Sequence, residues 1–173
     1  MSMGFRIDTA TDKDLHTIHE MAEIVFRHTY REILSAEQME YMMDWMYSME
    51  NLRKQMDAGH VFHILKEDEN PCGYMSIQAE GIDDEGISIF HLHKIYVLPS
   101  YQGKGLGRML LEKASEYALS NKNGARARIE LNVNRYNKAV DFYRHAGMKI
   151  LRQGDFHIGN GSYMNDYIMG LEL

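Results

Sequence analysis

Tyr101 Gln102 Gly103 Lys104 Gly105 Leu106 Gly107 Arg108 follows a predicted strand, Ile87 to Leu98, across the break Pro99 Ser100. It runs into a segment whose apolar positions Leu106, Met109, Leu110, Ala114, Tyr117 and Ala118 keep helical spacing. A strand, a glycine turn and a helix start make an anion site. Glycines let backbone N–H groups approach a ligand, and the first helical turn offers unpaired donors and the positive end of the macrodipole. A cation there, such as Arg108, opposes the dipole unless an anion sits between them. The expected ligand is a phosphate or pyrophosphate.

Spacing narrows the choice. A nucleoside-triphosphate loop needs four residues between its glycines and then Lys with Ser or Thr, whereas Gly103, Gly105 and Gly107 alternate and no hydroxyl follows the lysine. A dinucleotide fingerprint wants its third glycine at position 108, which Arg108 holds. For the three glycines alone, a plain turn entering a core helix is the other reading.

Working outward, 173 residues with 45% hydrophobic content suit one domain, residues 1–173, with a core of its own. The single cysteine, Cys72, lies between Pro71 and Gly73 in a predicted hairpin turn; no internal disulfide can form, and a reducing cytoplasm fits best. Met1 to Phe5 lacks a targeting pattern, and no apolar stretch approaches the roughly 20 residues of a membrane span. A formal charge of −6 argues against nucleic acid as the main partner and is compatible with a cationic substrate. It equally serves solubility.

Phe5 to Thr9 reads as a short strand, and Thr11 as the cap of a helix with Leu15, Ile18, His19, Ala22, Val25 and Phe26 on its core face. Ser35 and Gln38 stand at capping-box spacing before a run carrying Met39, Met42, Met43 and Met46, either adaptable core or the lining of a pocket. Glu32, Glu37, Glu40 and Asp44 make this an acidic flank with few balancing cations. A third helix, Met49 to Ala58, stops at Gly59. Strands follow at Val61 to Leu65, Tyr74 to Ala79 and Ile87 to Leu98, with turns at Glu67 to Gly73 and Glu80 to Gly86, as an antiparallel meander. After the glycine-led helix come a strand at Arg126 to Val133 and a helix capped by Asn134 or Asn137 and ended by Gly147. Two closing strands, about Met148 to Phe156 and Tyr163 to Leu171, flank the turn Gly159 Asn160 Gly161.

Gln102, two residues, Gly105, one residue, Gly107 resembles the acetyl-CoA signature of the GCN5-related N-acetyltransferases, the GNAT family. Asn137 Lys138 Ala139 Val140 Asp141 Phe142 Tyr143, before Gly147, looks like that family's second signature. The two stand in the right order, about thirty residues apart. The resemblance covers nearly the whole chain and implies an α/β (α+β) fold: a mixed, mostly antiparallel sheet of about seven strands flanked by helices. Met148 stands where the family usually has phenylalanine, and His91 and His93 stand on the strand where many members place a glutamate. The run Phe26 Arg27 His28 Thr29 Tyr30 and the helix after it are similar to bacterial polyamine acetyltransferases acting on spermidine and spermine.

By this resemblance acetyl-CoA is the co-substrate. Main-chain donors of Gln102, Gly103, Lys104, Gly105, Leu106, Gly107 and Arg108 would hold its pyrophosphate, with Lys104 and Arg108 adding charge. Ile95, Tyr96 and Val97 would pair with the pantetheine arm, and Asn137 would bond the amide region. Tyr143 would protonate the departing thiolate. A phenol with pKa near 10 is protonated at neutral pH, as an acid should be. The acceptor ammonium, with a pKa of about 10.4, is neutral in only on the order of one molecule in a thousand at pH 7. His93, or His91, is the expected base, since both point the same way on a strand and a histidine is mostly neutral at pH 7. No third ligand has a metal-like spacing near this pair, so no metal is expected. The acceptor is expected to be a small polyamine, with a protein N-terminus or lysine as the alternative. A module that keeps CoA without turnover is the rival from another class. A monomer or a homodimer fits equally.

Overall fold

A computed structural model of the chain describes residues 4–159 and 162–173, with side-chain surroundings described outside 156–164. The turn residues Asn160 and Gly161 therefore lie outside the described residues. In chain order the elements are β1 (Phe5–Thr9), α1 (Leu15–Tyr30), α2 (Ala36–Tyr47), α3 (Met49–Asp57), β2 (Val61–Glu67), β3 (Asn70–Ile82), β4 (Ile87–Val97), α4 (Leu106–Asn121), β5 (Arg126–Asn134), α5 (Ala139–His145), β6 (Lys149–Gly159) and β7 (Ser162–Glu172). The strands form a seven-stranded sheet in the order β1-β2-β3-β4-β5-β7-β6. Among the registered pairs only β4 and β5 run parallel. The helical crossover α4 between them supplies the length that a parallel pair requires. Four residues join β3 to β4, which only an antiparallel neighbour permits.

The chain forms two compact units, residues 4–78 with 94–113 and residues 79–93 with 114–173. In the first, Thr11 closes a capping box with Asp14 on a single 3-10 turn, Asp12–Asp14, that leads into α1. Ser35 and Gln38 close a second box at the start of α2. Leu15, Ile18, Ala22, Val25 and Phe26 of α1 bury the face expected of them, with Met39, Met42, Met43 and Tyr47 of α2. Phe26, Tyr47, Tyr74 and Tyr96 follow one another ring to ring at centroid distances of 5.9, 6.2 and 5.6 Å, and the Tyr74 hydroxyl bonds that of Tyr47 at 3.0 Å.

Two turn boundaries differ from expectation. The β2–β3 connection is only Asp68 and Glu69, with Asp68 at φ 52°, and β3 continues to Ile82. Cys72 is accordingly a fully buried strand residue whose thiol donates to the Leu65 carbonyl at 3.5 Å, rather than part of a turn. The register shows why. Leu65 pairs with Gly73 and Lys66 with Pro71, so Cys72 is the extra residue of a bulge, and a bulge admits a proline that a regular ladder would exclude.

In the second unit β7 lies between β5 and β6, antiparallel to both. Arg128 of β5 bonds Asp83, Glu130 and Glu172 at 3.1, 3.0 and 3.2 Å, and Arg152 of β6 bonds Glu130 at 3.0 Å. The buried Glu130 is thus held between two guanidinium groups, as a charge removed from water must be. Ile129, Leu131 and Val133 occupy the other face of β5 and are buried.

Candidate active site

The parallel register of β4 with β5 runs from Ile87↔Arg126 to His91↔Glu130. Beyond that pair β4 goes on to Val97 and β5 to Asn134. A strand that has left its neighbour offers its own N–H and C=O groups to an extended ligand. Ile95, Tyr96 and Val97, the residues expected to receive the pantetheine arm, lie in this stretch and are half-buried. Gly73 of β3 makes room for it, because a Cβ there would stand 2.8 Å from the Tyr96 carbonyl oxygen.

After Val97 the chain makes a 3-10 turn, Pro99–Tyr101, and the Gln102 side-chain amide donates back to the Val97 carbonyl at 3.2 Å. Gly103 and Gly105 take φ of 83° and 77°, and a Cβ on either would meet nothing within 4 Å. The loop therefore has open space beside both glycines. Among the described residues, none accepts a hydrogen bond from the N–H groups of Gly103 to Arg108. The first bond of the α4 ladder is Met109 N–H to the Gly105 carbonyl, at 3.2 Å. Unpaired donors at a helix start are the kind of group that an anion can accept from. Leu106 is 2% exposed and anchors the helix in the core, leaving only its main chain for a ligand. The Lys104 ammonium lies 5.4 Å from the Tyr101 ring centre, and Arg108 is exposed.

Lys94 was not among the expected residues. It is 3% exposed, its ammonium donates to the Gln55 side-chain carbonyl at 2.7 Å, and it lies 5.4 and 5.5 Å from the ring centres of Tyr47 and Phe62. Burial lowers its pKa to about 7. Gln55 in turn donates to the Met46 carbonyl at the end of α2. Its position on a mostly buried strand was the only signal in the sequence.

The acidic flank is less bare than its sequence implied. Arg27 of α1 bonds Glu23 at 2.8 Å and Glu40 of α2 at 2.5 Å, and this guanidinium holds the Glu40 carboxyl below the ordinary range. Glu23, Glu40 and Asp44 line a shallow pocket with His19, Arg27, Met43 and Ser48.

In the second unit, His91 and His93 stack with ring centres 4.4 Å apart, as two residues on one strand face should. His91 Nδ1 is 3.3 Å from a Glu80 carboxylate oxygen. Asn137 spends its side-chain carbonyl on the Ala139 N–H, at 2.8 Å, which turns the chain into α5. Tyr143, on α5, is 7% exposed, with its ring edge-on to Phe142 at 5.3 Å. Among the described residues, no three His, Cys, Asp or Glu side chains gather as metal ligands would. Among the described residues, no helix is long and apolar enough to cross a membrane.

The family model described as the acetyltransferase (GNAT) family matches residues 25–148. The crystal structure of the PaiA N-acetyltransferase from Thermoplasma acidophilum, in complex with coenzyme A, superposes with a TM-score of 0.76. It is 26% identical, with 99% of this chain and 100% of that one covered. An uncharacterized N-acetyltransferase of Lactobacillus delbrueckii subsp. lactis is 26% identical over 164 residues, 91% of each chain. Another, from Mycobacterium tuberculosis, is 36% identical over 119 residues, 68% of this chain and 70% of that protein.

Proposed function

The chain belongs to the acetyltransferase (GNAT) family, and from that premise we propose that it transfers acetyl from acetyl-CoA directly to a primary amine, both bound at once. It is an acetyl-CoA-dependent N-acetyltransferase. The observation that carries the cofactor end of the proposal is the row of N–H groups from Gly103 to Arg108, which no described residue uses. A diphosphate satisfies them. The thioester of a cofactor held there would extend along Ile95, Tyr96 and Val97, whose N–H groups polarise its carbonyl oxygen.

In the step itself the amine nitrogen forms a bond to the thioester carbon and the carbon–sulfur bond breaks. Tyr143 gives its hydroxyl proton to the departing thiolate, and the ammonium proton passes to His93, directly or through water, with His91 stacked behind it. Asn137 donates its side-chain N–H to the cofactor amide, the role its committed carbonyl leaves it. The buried Cys72 thiol has its pKa raised by desolvation, which counts against an acetyl-cysteine intermediate.

For the acceptor, the polyamine reading rests on the resemblance of the first two helices and on the carboxylates of the pocket by Glu23, Glu40 and Asp44. Arg27 already occupies two of these acids, so a polycation must compete with it. That competition keeps a protein N-terminus or lysine as the second reading. Thiol release from acetyl-CoA over an amine panel tests both, with spermidine and spermine expected to be the fastest. Release with peptides alone replaces the first reading by the second. CoA binding without amine-dependent release turns the protein into a sensor.

A further inference from the structure

Asp166 of β7 is 8% exposed, and its Oδ1 is buried with no hydrogen-bond partner among the described residues. Its Oδ2 has one described contact, at 3.5 Å, from the side-chain amide of the exposed Asn132. Burial raises the pKa of this carboxyl, against the opposing pull of Asn132 and of the Arg135 charge. Arg135 is the obvious counter-ion, yet its guanidinium faces Gln153 at 3.4 Å and Asp155 at 3.2 Å, and its own buried Nε makes no bond. A carboxyl so placed costs stability, since a buried acceptor without a partner has lost its water for nothing in return. Such a residue persists when something outside the fold uses it.

Register tells what is near it. Asn134 of β5 pairs with Asp166, and His91 of β4 pairs with Glu130. Paired residues share a face, and along β5 the residues Glu130, Asn132 and Asn134 alternate onto that same face. Asp166 therefore lies on the sheet face that carries His91 and the His93 stacked on it. It lies beside the part of β5 past the last parallel pair with β4.

We infer that Asp166 is the acceptor subsite of the transferase: its carboxylate binds the ammonium form of the amine on the face where His93 takes the proton. This rests on the proposed transfer to an amine and adds the group that selects a cation. The amide of the exposed Asn132 reaches Oδ2 at 3.5 Å, and an ammonium that displaces it exchanges a long neutral bond for a short charge-assisted one. Specificity for a charged acceptor follows.

The experiment is calorimetric titration of spermidine, cadaverine and alanine amide into the full chain, with and without CoA, for the parent, Asp166→Asn and Asp155→Asn. The Asp155 side chain is 63% exposed and, paired with Asn165, lies on the other face of the strand pair, so its substitution removes the same charge away from the subsite. Asp166→Asn is expected to weaken binding of the preferred amine by about tenfold or more, Asp155→Asn by less than about twofold. CoA affinity should be the same in all three, and the melting temperature of Asp166→Asn equal to the parent's or higher. Equal weakening by both variants, unchanged binding in Asp166→Asn, or a parent that binds none of the three amines overturns the assignment. So does a drop of several degrees in melting temperature, which would make Asp166 the counter-ion of Arg135. Amine binding that depends on Asp166 in a parent that ignores CoA keeps the subsite and removes the transferase proposal instead.

Discussion

Lys94 is the residue with the strongest physical claim on its surroundings. Its folded pKa is about 7 because burial disfavours the ammonium, against 10.5 for the ordinary side chain. Between those values the unfolded chain binds the extra proton, so stability rises with pH across this window, and the full penalty is present below about pH 7. Burial also pushes the hydroxyls of Tyr47 and Tyr74 well above their usual range, so both stay protonated through it. Lys94→Met should flatten the rise in urea midpoint between pH 6 and pH 9 and add on the order of a few kcal/mol at pH 6. Part of this gain is lost to the unpaired Gln55 carbonyl. A midpoint that rises equally with pH in the variant would show that another group titrates. Tyr143 poses a chemical test at the same scale. Tyr143→Phe keeps the ring packed against Phe142 and removes only the hydroxyl, so turnover should fall at least tenfold with acetyl-CoA affinity unchanged. Equal loss of both would make the ring a packing element. Tyr143 stands out in the sequence because it ends a motif, whereas nothing local marks Lys94 or Asp166 as buried, since burial of a charged side chain depends on residues distant in the chain.

At the level of elements, local chemistry was readable and strand register was not. Thr11 with Asp14 and Ser35 with Gln38 announce their helix starts because each box is closed within four residues. Cys72 was misassigned because Asn70 and Pro71 are turn-forming types, and nothing local reveals that the partner strand absorbs them in a bulge. The same bulged strand carries Gly73 under the Tyr96 carbonyl. Gly73→Ala drives a methyl into that backbone oxygen at 2.8 Å, so β4 must shift where the pantetheine arm would lie. The expected result is a loss of about 1–3 kcal/mol in stability and a raised KM for acetyl-CoA. Gly105→Ala is a contrast: its methyl enters open space, and only the backbone at φ 77° is strained. It should cost about 1–2 kcal/mol and weaken acetyl-CoA through the altered loop. If Gly73→Ala leaves the acetyl-CoA KM unchanged while stability falls, the Tyr96 stretch is not part of the cofactor path.

Over the molecule, the succession of strands and helices followed from the alternation of periods along the chain, and the sheet has the seven strands expected of it. What escaped was pairing over long separations. Arg27 meets Glu40 across two helices, so the acidic flank read from composition is partly neutralised, and Arg128 of β5 likewise meets Glu172 of β7 and Asp83 of the turn between β3 and β4. Charge counted along a sequence is not charge at a surface. The helix α4 and the strands β3 and β4 each run through both compact units, so a ligand gripping the loop before α4 should stabilise the whole chain. Because it binds the native state alone, acetyl-CoA at about a hundred times its Kd should add roughly 2.7 kcal/mol. In a chain of 173 residues that is a rise of roughly 5–10 °C in melting temperature. Gly105→Ala should show a smaller rise at the same concentration, and a chelator should change neither, since no described cluster holds a metal. A parent melting curve indifferent to acetyl-CoA would mean that the amides of Gly103 to Arg108 bind no diphosphate, and the roles assigned along β4 would fall with them.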